Sequence, residues 1–334
     1  MNALLMLFIG IMVSALPAFG ARYDERNLAT LQSRYAKGVA DPIPWAGWWW
    51  PYNEGGISEA AAKVDQALDT GNRAASWENR QHGEGRRAAD WWGHCNGWAA
   101  AAIMDTEPKS SITRNGVEFG IGDRKALLSE YWMESGSDFV GRRVWNSGDR
   151  TSAAFWDVVP AAFHLLLTNI VGRNRQSVIL DRHTGAEVWN QPLAAYEIHP
   201  IRPENYLGSH PKYRNLYRVN VTTTIWWLSD EVEPDDVTQD FDWKENDHFE
   251  KRTLRYELWV DRPLAFDANG KLVSSGNIVL TNNGVGGQWK NGTGREALLD
   301  THPDFIWIPL SYKRSSGYKN PRLSDGWIEK NIAD

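Results

Sequence analysis

Cys95 is the one cysteine of the chain, set in the stretch WWGHCNGWAAAA that runs from Trp91 to Ala102. A lone thiol cannot close a disulfide within its own chain, so it is either a small buried residue or a working nucleophile. Its setting favours the nucleophile. Gly93 and Gly97 loosen the entry to an alanine run that propagates well as a helix and ends before Pro108, which puts Cys95 near a helix amino terminus. Unpaired N–H groups and the helix dipole favour a thiolate there, and the N–H of Cys95 itself is a donor for an oxyanion when an acyl carbonyl is attacked. Gly93 and Gly97 would also let backbone and substrate come close. Trp91, Trp92 and Trp98 offer aromatic walls that exclude water from an acyl-enzyme, with His94 and Asn96 as polar neighbours for substrate or oxyanion.

A nucleophilic cysteine needs a base, and usually a third group to orient that base. Eight histidines are available, and His164 stands in the most informative setting, FHLLLTNIVGRNRQSVILD. Read as two strands joined at Gly172-Arg173 by a type II′ turn, this stretch sets His164 directly opposite Asp181, within reach of a carboxylate–imidazole hydrogen bond. The candidate catalytic set is therefore Cys95, His164 and Asp181, with Asn190 of VWNQP as a second orienting group. The same residues also fit a helix with Pro160 in its first turn and Gly172 at its cap; the strand reading is the one followed here. His94, next to the thiol, is assigned a local electrostatic role.

These residues must be held by surrounding elements. Ser58 to Gly71 has the apolar spacing of a short amphipathic helix, and Tyr23 to Lys37 is partly helical. Four tryptophans within Trp45 to Trp50, flanked by prolines, suit an irregular aromatic wall rather than one helix face. Beyond Leu216 the chain reads as strands, in YRVNVTTTIWWLSD, RTLRYELWVD and KLVSSGNIVL, separated by turn clusters such as Asp267 to Gly270. HPDFIWIP, His302 to Pro309, reads as a structural corner, with substrate contact as the alternative. Asp235, Asp236, Asp240, Asp242 and Asp247 form an acidic stretch that lacks the glycine and closing glutamate of a calcium-binding hand, so a solvated loop is expected, and no cofactor or metal.

The first twenty residues form an apolar run ending in Ala18-Phe19-Gly20, which fits a secretory signal peptide although the start carries no Lys or Arg; an uncleaved anchor is the alternative. Secreted or periplasmic placement follows. The net charge of -6 gives no basic footprint for nucleic acid or an anionic membrane surface.

Together WPYNEGGI, WWGHCNGWAAAAI, FHLLLTNIVG, VILD, EVWNQP and HPDFIWIP resemble the transglutaminase elicitor family, in that order along the chain. The resemblance implies a calcium-independent protein-glutamine acyltransferase with Cys95 as the essential thiol and with protein or peptide substrates exposing Gln and Lys. The expected fold is α+β, a papain-like or transglutaminase-like helix-plus-sheet core with a β-rich carboxy-terminal half. The expected division is a signal peptide at 1–20, a Trp-rich segment at 21–90, a catalytic core at 91–200 and a β-rich half at 201–334. A papain-like peptidase or amidase, and a non-catalytic binder of glycan or peptide through tryptophan platforms, are the rival readings.

Overall fold

The computed structural model describes residues 23–83, 88–141, 158–182, 187–280, 286–290, 302–313 and 317–333. The leader at 1–20 lies outside them. Among the described residues no helix is long and apolar enough to cross a membrane.

In chain order the elements are α1 (Leu28–Arg34), β1 (Lys37–Val39), α2 (Ser58–Leu68), α3 (Arg73–His82), α4 (Cys95–Met104), β2 (Ile112–Arg114), β3 (Val117–Phe119), α5 (Ile121–Trp132) and β4 (Ser135–Gly141). There follow α6 (Pro160–Leu166), continued as a π-helical turn over Leu167–Arg173, then β5 (Ile179–Asp181), β6 (Asn190–Ile198), β7 (Tyr206–Ser209), β8 (Tyr217–Leu228) and β9 (Phe249–Val260). β10 (Ala265–Phe266), β11 (Leu272–Ser274), β12 (Gln288–Trp289), β13 (Phe305–Lys313) and α7 (Asp325–Asn331) complete the chain.

A nine-stranded sheet in the order β12-β9-β8-β6-β5-β13-β4 organises the molecule, with β1 also on β6 and β7 on β8. Its strands pair antiparallel, and strands from both halves of the sequence share it. Alternation along each strand sends side chains to two cores. Ile179, Ala195 and Trp307 join the cluster that holds α2, α4, α5 and Trp45, whereas Leu180, Tyr196, Ile306 and Ile308 join the cluster that holds α1 and α6. The sheet is thus covered on both faces, which is why β6 reads NQPLAAYEI, apolar without a clean alternation.

The helix predicted behind the thiol is present. α4 begins at Cys95, and Cys95 and Gly97 to Ala102 are all buried, the signature of a helix enclosed on every side. Small residues let it lie against α5. A Cβ on Gly97 would fall 2.1 Å from the Ser129 carbonyl oxygen, so this glycine serves helix packing, not the approach of substrate as expected. Gly93 is held just as closely, 2.5 Å from the Trp49 carbonyl oxygen for an added Cβ.

The predicted hairpin is not formed. Residues 160–173 are helical, with Pro160 in the first turn, and Thr168 Oγ1 and Asn169 Nδ2 donate back to the carbonyls of His164 and Leu165 at 2.8 and 3.0 Å. The run Phe163 to Val171 is buried on all sides, and an apolar run of that kind carries no period that separates strand from helix. Gly172 is small because an added Cβ would meet Tyr196 Oη at 2.2 Å, not because a two-residue turn requires it. Asp181 pairs instead with Asn190, across β5 and β6. KLVSSGNIVL is strand only over Leu272–Ser274.

Candidate functional site

Cys95 sits at the floor of a cavity of about 390 Å³ whose walls come from five parts of the chain, one of them Tyr52. Trp91 and Trp92 precede α4, and Asn96 follows the thiol. Ser135, Ser137 and Phe139 come from alternate positions of β4, Phe305 and Trp307 from β13, and Val188 with Asn190 from the entry to β6. Trp92 is 45% exposed at the rim, whereas the residue of Cys95 is 6% exposed.

Asn190 Nδ2 donates to Cys95 Sγ at 3.5 Å, and Sγ faces the Val188 carbonyl oxygen at 3.8 Å. The orientation of the amide is fixed by its other side. Trp307 Nε1–H, which can only donate, meets Asn190 Oδ1 at 2.9 Å, and that leaves the NH₂ group for the sulfur. The second orienting group named from the sequence is therefore the one in contact with the thiol, held by a tryptophan that sequence reasoning placed in a structural corner.

Asp181 lies on the same sheet face as Asn190, its register partner, and accepts the Trp189 N–H at 2.9 Å, closing the entry to β6. It does not meet His164. That residue is fully buried in α6, where Nδ1 is 2.9 Å from Tyr256 Oη and Tyr256 Oη is 2.7 Å from Thr223 Oγ1. Phe163, Leu165 and Tyr256 around it belong to the core on the opposite face of the sheet from α4. Burial pushes His164 down to about 3, so it is neutral across the physiological range. The structure thus brings Cys95, Asn190 and Asp181 to one region and leaves His164 outside it. Among the described residues no histidine nitrogen is hydrogen-bonded to Sγ; His183, two residues beyond Asp181 in sequence, lies outside them.

Two more expected contributors point away from the cavity. Trp98 is fully buried in the helical core. His94, the cap residue of α4, turns inward to Glu130, with Nε2 3.1 Å from Oε2. Burial opposes charge on that ring, but Glu130 outweighs it and holds His94 above its ordinary value. Trp91, Trp92 and Asn96 do line the cavity.

The helix terminus was expected to lower the thiol. Instead burial pushes Cys95 up, the Asn190 hydrogen bond opposes this, and Asp230 and Asp181 add to it. The resting group is a neutral thiol, so attack requires that its proton be removed as the bond forms.

Asp230, fully buried, is pushed up to about 6, chiefly by burial, with Arg182 opposing. A raised folded value favours the protonated carboxyl, so this stabilisation is complete below the unfolded value near 3.9 and is lost as pH rises through about 6. Asp230→Asn is expected to match the wild type near pH 4 and to exceed it by about 2–3 kcal/mol at pH 8, since one pKa unit is about 1.4 kcal/mol. Thermal melts of both proteins at the two pH values check this. An equal difference at both would contradict it.

Two comparisons bear on the family and the fold. Residues 58–218 match the Transglutaminase elicitor family. That segment contains Cys95, Asn96, Asp181 and Asn190. The crystal structure of the GP42 transglutaminase from Phytophthora sojae superposes with a TM-score of 0.62 at 20% identity, over 92% of this chain and 94% of that one. The α+β arrangement of helices on a large antiparallel sheet is thus a transglutaminase fold. No curated protein matches the sequence.

Proposed function

We propose that this transglutaminase-like protein is a thiol acyltransferase that joins protein glutamine to primary amines. The observation that carries the reading is the buried Cys95 thiol at the start of α4, held by an asparagine whose NH₂ group is aimed at the sulfur.

In this mechanism Sγ attacks the carboxamide carbon of a glutamine side chain as its proton is removed. The oxyanion meets the Cys95 N–H, which has no partner within the helix, and the Asn190 NH₂ group. The proton lost by the thiol passes to the carboxamide nitrogen, so collapse of the tetrahedral intermediate expels neutral ammonia and leaves a thioester. A lysine amine then attacks the thioester, forms the isopeptide bond and regenerates the thiol. Water is the competing acceptor, and Trp91, Trp92 and Trp307 around the sulfur disfavour it. Asp181 accepts the Trp189 N–H beside Asn190 and so helps position it, and His164 serves the second core. The substrates are polypeptides with accessible Gln and Lys, and the apolar leader supports action outside the cytoplasm.

Mass spectrometry of a glutamine peptide incubated with the protein and a primary amine tests the reading, with Cys95→Ala beside it. An amine adduct formed with loss of ammonia by the wild type alone is expected. Deamidation or backbone cleavage without adduct would replace transfer by hydrolysis, and no reaction across a panel of glutamine peptides would return the pocket to a binding role.

A further inference from the structure

Behind the thiol, on the inner side of α4, lies a cluster that the acyl-transfer chemistry does not use. Glu78 and His82 stand one turn apart on α3, His94 caps α4, and one ligand atom from each lies within 4.8 Å of the others. Glu130 of α5 adds a second carboxylate, against His94 Nε2. Glu78, His94 and Glu130 are fully enclosed and His82 is 6% exposed.

The charge of this cluster needs an explanation. Two buried carboxylates are costly unless they are paired, and among the described residues neither is ion-paired with a lysine or arginine. Their partners are the two imidazoles and Asn320, whose Nδ2 donates to Glu78 Oε1 at 2.8 Å and whose N–H donates to Glu130 Oε1. No lysine or arginine of the described residues balances the two carboxylates, and one divalent cation bound through the imidazole nitrogens would balance both.

We propose that Glu78, His82 and His94 bind a divalent transition metal of the zinc class, with Glu130 orienting His94. Imidazole nitrogen with carboxylate oxygen is a donor set that suits Zn²⁺, and a carboxylate on the far nitrogen of a metal-bound histidine fixes its ring and raises its basicity. The surroundings hold the ligands before any metal arrives. Tyr52 stacks on His82 at 3.8 Å with an interplanar angle of 3° and meets His94 edge-on at 5.1 Å. Gly56, at φ 57°, leaves the space beside them: a Cβ there would lie 3.2 Å from His94 Cε1 and 3.6 Å from Glu78 Oε2. The bound metal would tie α3, the cap of α4 and, through Glu130, α5 into one unit directly behind the nucleophile. Its role is structural, and it stands or falls separately from the acyl transfer.

Metal content and melting temperature test this, with Cys95→Ala as the background because a thiol is itself a zinc ligand. Elemental analysis after dialysis against micromolar zinc is expected to give one equivalent per chain in the wild type and in Cys95→Ala. Stripping with a chelator is expected to lower Tm by about 5 °C, and zinc alone to restore it. Glu78→Gln and His82→Asn should each lose the metal and the zinc-dependent shift while keeping the wild-type circular dichroism. Should either variant fail to fold, the chelator and zinc titrations of Cys95→Ala decide by themselves. The proposal is overturned if the metal-free protein melts at the same temperature with and without zinc, if the equivalent disappears in Cys95→Ala alone, or if folded Glu78→Gln binds as the wild type does.

Discussion

Cys95→Ser is expected to lower kcat/KM for acyl transfer from a glutamine peptide by at least about 10⁴-fold, within the range found when a covalent nucleophile is removed. The loss is large because the site suits sulfur. The pocket accommodates the longer C–S bond, Asn190 approaches at 3.5 Å, and burial already disfavours an anion at this position. A serine hydroxyl, far less acidic than a thiol, would meet the same environment with a weaker nucleophile. Asn190→Ala removes one donor and leaves the sulfur in place, so a smaller loss of about 10- to 10³-fold is expected, in kcat rather than KM. The two effects are read from initial rates of ammonia release and amine incorporation. Retention of activity by Cys95→Ser to within tenfold would remove the thiol from the mechanism.

That contrast between sulfur and asparagine also shows where the sequence was legible. The helix behind Cys95 could be read because Ala99 to Ala102 propagate it and the glycines mark its entry, and the long strands Tyr217–Leu228 and Phe249–Val260 could be read from their β-branched and aromatic content. Asn190 could be named only as a second orienting group and its contact with Cys95 not at all, because that contact depends on β6 passing over the end of α4. Trp307 was hidden for the same reason: its indole reaches Asn190 from a strand 117 residues away in sequence. The assignment of His164 failed on a different point. Its segment is enclosed on all sides, so the pattern that exposes one face of a helix is missing, and a register argument then rested on strands that do not form. His94 was named both as a polar neighbour for substrate and for a local electrostatic role, and its ring turns away from the cavity to Glu130, which leaves the electrostatic role.

Lys125→Met is expected to be the costliest single change to the fold away from the thiol, although the sequence shows only a lysine within a helix. Its side chain is fully buried in α5. Nζ donates to the Ala46 carbonyl oxygen at 2.9 Å, to Glu107 Oε1 at 2.8 Å and to the Asp236 carbonyl oxygen at 2.7 Å. It also lies 5.2 Å from the Trp45 ring centroid. One ammonium thus ties the tryptophan-rich wall, the segment after α4 and the acidic stretch to a single helix. That stretch was expected to be a solvated loop, yet Asp235 is fastened as well, accepting the Gly122 N–H at 2.7 Å. Methionine preserves most of the volume but strands the Glu107 carboxylate, which keeps only the Thr238 N–H and hydroxyl, and leaves two carbonyls without this donor. Breaking a buried pair in this way costs about 3–5 kcal/mol, which at about 2 °C per kcal/mol for a chain of this size lowers Tm by roughly 6–10 °C. Lys63→Met is the comparison, because Lys63 is 41% exposed in its pair with Asp123 and such pairs contribute about 0–1 kcal/mol. Equal shifts for the two variants in thermal melts would mean that Lys125 is no more than a surface charge, whereas the expected gap between them would show that the tryptophan-rich segment from Trp45 to Trp50 is anchored from within α5.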